Sequence, residues 1–389
     1  MISNMVKNMP GALPLLLAAS LSAQSPLFPA PLHSSQWGFL IDLPEGYQHT
    51  GGNGESQFSF QSPQGARFDL RVYPAQAYTS AKALAEDIQR RLKNQGAADY
   101  FEYRGKEAAL ITLRFQNAGS LSEGLGLCVE LDRPESSGNV PKPILLALAY
   151  GQAGREDLRA FHLSALNSIA PTPQDRRAPG PLIDQKYPRG QPRTLPIAGL
   201  GAQALVYEHD AKAAQALVDR EFDVLKRYAS SPLWKEAWIR FYRAVYRDSF
   251  ERLAHIAFAL ERLWNIPAVS NRDLAGKALS WVQSFAYERD LMGSDFVNLV
   301  SAALEGRGDC DSRSLLWAVV LAQANIPTAI MVSSRYSHAM GLADVPGAGA
   351  HFTFAGTSWL VAETTSPVAA GLISADMSEK AHWLGILFE

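Results

Sequence analysis

The chain has 389 residues, 47% of them hydrophobic, and its 36 Lys and Arg stand against 38 Asp and Glu for a formal charge of −2. That length and apolar content suffice for two or three packed cores, and the near-neutral balance excludes the basic excess expected of a nucleic-acid-binding protein. Two cysteines, Cys128 and Cys310, exclude a disulfide-built scaffold, and scattered histidines without ligand spacing point to no metal and no cofactor.

The first segment sets the compartment. Lys7 precedes the apolar run Ala12-Leu13-Pro14-Leu15-Leu16-Leu17-Ala18-Ala19, followed by Leu21-Ser22-Ala23-Gln24, the pattern of a secretory signal peptide over residues 1–23 with cleavage after Ala23. The run is too short for a transmembrane anchor, and no Cys lies near the cleavage point to take a lipid. An exported protein, periplasmic or secreted, is expected.

From Trp37 onward the chain alternates apolar and polar residues in short runs that predict strands over 57–61, 67–73, 108–115, 124–131 and 144–150. Helical spacing predicts helices over 81–94 and 155–168. The expected fold class is α+β, an antiparallel sheet with helices packed on it. Cys128 falls in an alternating run, where a buried thiol is the ordinary reading. This half offers no grouping of acid, base and nucleophile, so binding or targeting is its expected role.

Residues 171–196 carry seven prolines, at 171, 173, 179, 181, 188, 192 and 196, and are expected to form a semi-extended linker free of helix and ladder. Residues 211–265 read as helical. Trp234, Trp238, Phe241 and Val245 recur at helix spacing beside Tyr242, Tyr246, Phe250 and Leu253 as a broad aromatic core face. Arg240, Arg243 and Arg247 fall on another side, read as a solvated face balanced by Glu236, Asp248 and Glu251.

Near the end the chain reads Gly306-Arg307-Gly308-Asp309-Cys310-Asp311-Ser312-Arg313-Ser314 and opens a helix over 315–324 with Cys310 in its first turn. A thiol there meets the positive end of the helix dipole and unpaired N–H groups, which favour the thiolate and hence a nucleophile. A strand-like run 327–333 leads to Ser337-His338-Ala339-Met340, and then comes Trp359-Leu360-Val361-Ala362-Glu363-Thr364-Thr365. Thiol, imidazole and carboxylate follow in order: Cys310 to attack a carbonyl carbon, His338 to hold and return the proton, Glu363 to orient the imidazole. His351, on the return strand after Pro346-Gly347-Ala348-Gly349, is the rival imidazole.

In these motifs the chain resembles the transglutaminase-like superfamily of papain-type thiol enzymes, whose core carries Gly-x-Cys on a helix, His-Ala-Trp on a strand and Asp-Pro-Thr on the next. Gly308-Asp309-Cys310, His338-Ala339-Met340 and Glu363-Thr364-Thr365 match in turn, with Met340 in place of Trp, Thr364 in place of Pro and Glu363 in place of Asp. The resemblance covers residues 270–389 and extends to Gln283-Ser284-Phe285-Ala286-Tyr287, similar to a Gln-x-x-x-Tyr segment of the family. It implies that the Gln283 amide joins the Cys310 backbone N–H at an oxyanion. The N-terminal part, from Gly38-Phe39 through Leu166-Asn167-Ser168-Ile169, resembles the PsbP-like α/β/α sandwich.

The expected organisation is thus a signal peptide over 1–23, a PsbP-like α+β domain over 36–170, the linker 171–196, and a helical region with a transglutaminase-like domain over 197–389. The expected function is an exported thiol enzyme that cleaves or transfers at peptide or other amide bonds through an acyl-enzyme on Cys310. Its expected substrate is a peptide or protein, with a cell-envelope component among the candidates. The substituted motif positions leave a second expectation open, a binding or scaffold protein that keeps the fold without turnover.

Overall fold

The computed structural model describes residues 31–132, 142–265, 268–289 and 294–388, so the expected signal peptide lies outside the described residues. The fold is α+β, and the described chain divides into two units between Lys186 and Tyr187. No helix among the described residues is long and apolar enough to cross a membrane.

The first unit is built on a seven-stranded antiparallel sheet. Its strands are β1 (Gln48–Gly52), β2 (Gln57–Gln61), β3 (Arg67–Tyr73), β4 (Ala98–Tyr103), β5 (Lys106–Asn117), β6 (Ser120–Glu130) and β7 (Ile144–Gln152), in the order β1-β2-β3-β7-β6-β5-β4. Alternation along β5 sends Ile111, Leu113 and Phe115 into a core with Cys128 and Leu146, against which Leu84 and Ile88 of α1 (Ala81–Leu92) pack. Ser80 caps that helix by accepting from the Ala83 N–H at 3.0 Å. The other helix, α2 (Arg159–Asn167), packs on β6 and β7. Cys128 is fully buried and burial pushes its thiol up, so the structural reading of that cysteine holds. Both cysteines are free.

The proline-rich segment is not the bare linker expected. Pro173 opens a 3-10 turn, Pro173–Arg177, closed by a Thr172/Asp175 capping box; Pro181 opens a short helix, Pro181–Lys186; and Pro192–Pro196 forms a two-stranded ribbon with Gln203–Tyr207. The prolines sit where a missing N–H costs little, at helix starts and at the ends of an edge strand. Asp175, 1% exposed, is bridged by Arg104 of the β4–β5 turn at 2.8 Å and by Lys106 at 3.3 Å. That buried pairing ties residues 171–186 to the first unit and moves the boundary into the middle of the proline-rich stretch.

The second unit carries α3 (Asp210–Lys226), α4 (Trp234–Arg252), α5 (Ala254–Trp264), α6 (Asn271–Gln283), α7 (Leu299–Glu305) and α8 (Cys310–Gln323). An antiparallel sheet follows, β8 (Thr328–Ser333), β9 (His338–Ala343), β10 (His351–Phe354), β11 (Thr357–Ala362) and β12 (Leu384–Ile386), in the order β10-β11-β9-β8-β12. Trp238, Phe241, Tyr242, Val245 and Tyr246 of α4 are buried, as their spacing predicts. The opposite prediction fails in part: Arg240 is 2% exposed and bridges Glu221 of α3 at 2.7 Å, and Asp248 is buried against Arg252. Helical spacing reports an apolar face but cannot show that a neighbouring helix brings the carboxylate that lets an arginine be buried.

Helix α8 is the centre of this unit, buried from Cys310 to Leu321. Trp317 fixes its seat: the indole Nε1 donates to the Ala275 carbonyl at 3.0 Å, and the ring lies so close to Gly341 of β9 that a Cβ there would stand 2.4 Å from Cε3. Gly341 therefore lets the Cys310 helix press directly on the strand that begins with His338.

Candidate active site

The start of α8 is capped from within the motif. Asp309 accepts from both the N–H and the hydroxyl of Ser312 at 2.8 Å, which makes Cys310 the first helical residue. One turn apart on the helix, Cys310 and Ser314 grip the same residue of β9: the Ala339 N–H donates to the thiol sulfur, and the Ser314 hydroxyl donates to the Ala339 carbonyl at 3.2 Å. Ser314 Oγ also lies 2.9 Å from Thr364 Oγ1. The β9–β11 ladder runs only from Gly341/Ala362 to Ala343/Leu360, so beyond it the backbones near His338 and Glu363 are tied through the helix hydroxyl instead.

His338 opens β9 directly after Ser337, which holds a left-handed φ of 54°. Its Nε2 lies 2.7 Å from Glu363 Oε2, while Glu363 Oε1 accepts from the Thr365 N–H at 2.7 Å and the Thr365 hydroxyl at 2.6 Å. Both carboxylate oxygens are thus held, Oε2 by one contact and Oε1 by two, and the extra methylene of Glu over Asp is taken up in reaching both partners. With Nε2 directed at the carboxylate, Nδ1 is the ring nitrogen left for other chemistry. Trp383, carried in just ahead of β12, stands edge-on to the imidazole with ring centroids 6.4 Å apart.

Burial works to raise the Glu363 pKa, but the hydrogen bond and charge of His338 and the two Thr365 donors outweigh it and hold the carboxyl below its usual value. At Cys310 the balance goes the other way. The thiol is 5% exposed, and burial first, then the Asp311 and Asp309 carboxylates, push it well above the ordinary thiol range. The Ala339 N–H and the Arg289 guanidinium only partly oppose this. A helix dipole is worth up to about 2 kcal/mol near a terminus, less than the cost of an ion buried beside two carboxylates. The expected thiolate is therefore corrected to a thiol at rest.

Asp309 and Asp311 are themselves raised, chiefly by burial, although Tyr242 of α4 donates its hydroxyl to Asp311 Oδ1 at 2.5 Å. Tyr287 stands nearby, with the Arg313 guanidinium 5.5 Å from its ring centre; burial and then Cys310 push its phenol up to about 12. Arg313 donates to the backbone carbonyls of Gly308 and Phe285 at 3.0 and 2.8 Å, pinning the chain on either side of the site.

Gln283 corrects the expected oxyanion role. Its amide nitrogen donates to the carbonyls of Glu363 and Val368, each at 2.8 Å, so both N–H groups hold the chain that carries the carboxylate. The Asp309 cap takes the Ser312 N–H and hydroxyl, so the Cys310 backbone N–H in the first turn of α8 is not used by it. His351 is excluded as the base: its Nδ1 faces its neighbour's carbonyl, Gly349 O, at 3.0 Å, and its partner Leu360 pairs with Ala343, the opposite end of β9 from His338. That separation is about 17 Å along the strand. Met340, where tryptophan was expected, fills the core with Met331, Leu342, Trp359 and Trp383.

Sequence reasoning missed Ser314, Thr365, Asp311, Tyr242 and Trp383. Ser314 and Thr365 lie within the quoted motifs and were findable from helix and turn spacing; Tyr242 and Trp383 come from distant segments and left no local signal.

No family model matches the chain, and no curated protein matches it. Among solved structures it is similar to LpqN of Mycobacterium tuberculosis, described as involved in cell envelope biogenesis, at 14% identity and a TM-score of 0.26 over 37% of this chain and 90% of that one. It is also similar to a protein from Bacteroides thetaiotaomicron, at 8% identity and a TM-score of 0.25 over 86% of this chain and 87% of that one. Likenesses this slight carry no argument about fold or chemistry.

Proposed function

We propose that the second unit is a transglutaminase-like thiol acyltransferase or hydrolase acting on peptide or other amide bonds, and that the protein is exported by the leader read in residues 1–23. The observation that carries this reading is the His338–Glu363 contact at 2.7 Å beside a Cys310 whose sulfur meets the neighbouring Ala339 N–H. In the reaction, Cys310 Sγ bonds to the carbonyl carbon as its proton passes to His338 Nδ1, and Glu363 offsets the imidazolium charge. The imidazolium then protonates the departing amine as the C–N bond breaks, leaving a thioester. Water or a second amine attacks that thioester and regenerates the thiol. With a thiol at rest, proton transfer accompanies attack rather than preceding it.

The second reading is a binding protein without turnover, favoured by the buried, high-pKa thiol and by the commitment of Gln283 to backbone carbonyls. In either case an envelope peptide or protein is the proposed partner. Release of amine from fluorogenic peptide amides, and incorporation of a labelled primary amine, separate the readings. Either activity, abolished by Cys310→Ala in a folded protein, supports the enzyme; neither activity across a diverse peptide set leaves the binding protein.

A further inference from the structure

The first unit holds a cavity of about 320 Å³ between its sheet and α2, lined by Thr112, Arg114, Glu123, Leu125, Arg155, Glu156, Arg159 and His162, among others. Thr112 and Arg114 alternate along β5 with Ile111, Leu113 and Phe115, so the cavity opens on the sheet face opposite α1. Its volume is that of a small-molecule pocket at the lower end of the usual range, on the order of 300–1,000 Å³.

The polar groups here are not all spent on one another. Arg114 is paired with Glu123, and Arg155 is paired with Asp157 at 2.6 Å. Neither Arg159 nor Glu156 has an ion-pair partner among those found in the described residues. Three residues beyond Arg159 on α2, His162 also lines the cavity; it is 5% exposed, and its ring donates one N–H to the Tyr150 carbonyl. Its other nitrogen, Nε2, is buried and has no partner in the described structure. Burial pushes this histidine down to about 4, so at neutral pH Nε2 is a lone-pair acceptor. A buried acceptor of this kind calls for a donor.

We infer that this cavity is a binding site for a small zwitterion of the α-amino acid or dipeptide class, with its carboxylate on Arg159 and its ammonium donating to His162 Nε2 and Glu156. An ammonium brings only donors and so suits two acceptors, a guanidinium fork suits the carboxylate, and Leu125 supplies an apolar wall for the rest of the ligand. The inference stands apart from the chemistry proposed for Cys310, since all its residues belong to the first unit.

The test uses the full chain and a thermal-shift screen with the twenty standard amino acids, Gly-Gly and Ala-Ala, each at 10 mM, followed by calorimetry on the best binder. Saturable binding is expected, at least tenfold weaker for the N-acetylated and the carboxamide forms of that same ligand, and at least tenfold weaker in Arg159→Ala, an exposed change that leaves the fold intact. His162→Gln should weaken binding likewise; if it does not fold, Arg159→Ala and the blocked ligands decide. The inference is overturned by no saturable binding to any compound of the screen, by blocked ligands that bind as tightly as the zwitterion, or by Arg159→Ala binding that equals the native chain's.

Discussion

His338 and Glu363 meet at 2.7 Å through Nε2 and Oε2, with the other carboxylate oxygen held by the Thr365 backbone and hydroxyl. The imidazole is therefore fixed in one tautomer and one orientation by a group that is itself fixed, the arrangement a general base requires. The longer side chain at 363 serves both contacts at once, and this decides what a shorter one would do.

Glu363→Asp should lower kcat/KM about a hundredfold, because pulling the carboxylate back by one methylene sacrifices either His338 or Thr365 and misplaces the ring by about 1 Å. Glu363→Gln should cost more, about 10³-fold or beyond, since an amide N–H facing Nε2 drives the proton to Nδ1, where the thiol proton must go. Both are checked on a peptide amide substrate with melting curves run alongside. An Asp variant as active as the native chain would show that the carboxylate reach does not matter.

Asp311 is the stronger of the two carboxylates that hold the Cys310 thiol up. Asp311→Asn removes that charge and keeps an oxygen for the Tyr242 hydroxyl, so the pH profile of Cys310 alkylation by iodoacetamide should move to lower pH, with a rate at neutral pH raised severalfold. An unmoved profile would mean that burial alone sets the thiol.

The same groups give opposite signs in the pH dependence of stability. Glu363 has a folded-state pKa below its unfolded value, so its contribution is present above about pH 4.3 and is lost as pH falls through the folded pKa. Asp309 and Asp311 are raised, so the folded chain binds their protons more tightly; their contribution is present at low pH and is lost as pH rises from about 4. Asp311→Asn should therefore raise Tm at neutral pH by at least about 2 °C, with the gain vanishing near pH 4. Glu363→Gln should lower Tm at neutral pH, with the deficit closing as the medium becomes acid. Calorimetric melting across that pH range reads both.

Gln283→Ala strips donors from the Glu363 and Val368 carbonyls, both bonds being half-buried, at a cost of about 1 kcal/mol for each bond lost. A fall in Tm of several degrees with a kcat loss smaller than that of Glu363→Gln is expected. A kcat loss of a hundredfold or more at unchanged Tm would restore the oxyanion role to this glutamine.

What the sequence disclosed and what it hid divide along physical lines. Short-range patterns were legible: alternation located β3, β5, β6 and β7, helical spacing located the buried face of α4, and the Cys, His and Glu motifs placed three side chains on α8, β9 and the residue after β11. The hidden features depend on contacts between distant segments. The Asp311–Tyr242 bond spans 69 positions, and it helps hold a carboxylate that adds to burial in keeping Cys310 a thiol. Arg240 reads as solvated until Glu221 is seen 2.7 Å away. Prolines of 171–196 sit at element starts and strand ends rather than in a bare linker, and their cost depends on that position, which composition does not tell.

The central claim is that Cys310 forms an acyl-enzyme with His338 as its base, and the most direct measurement is the intact mass of the full chain after exposure to p-nitrophenyl acetate. The account predicts one acetyl group, localised by fragmentation to Cys310, released by hydroxylamine as a thioester is, absent in Cys310→Ala and formed at least a hundredfold more slowly in His338→Ala. Cys128, fully buried in the first unit, should carry none. No acetyl on Cys310, or acetylation of Cys310 at the native rate in a folded His338→Ala chain, would contradict it.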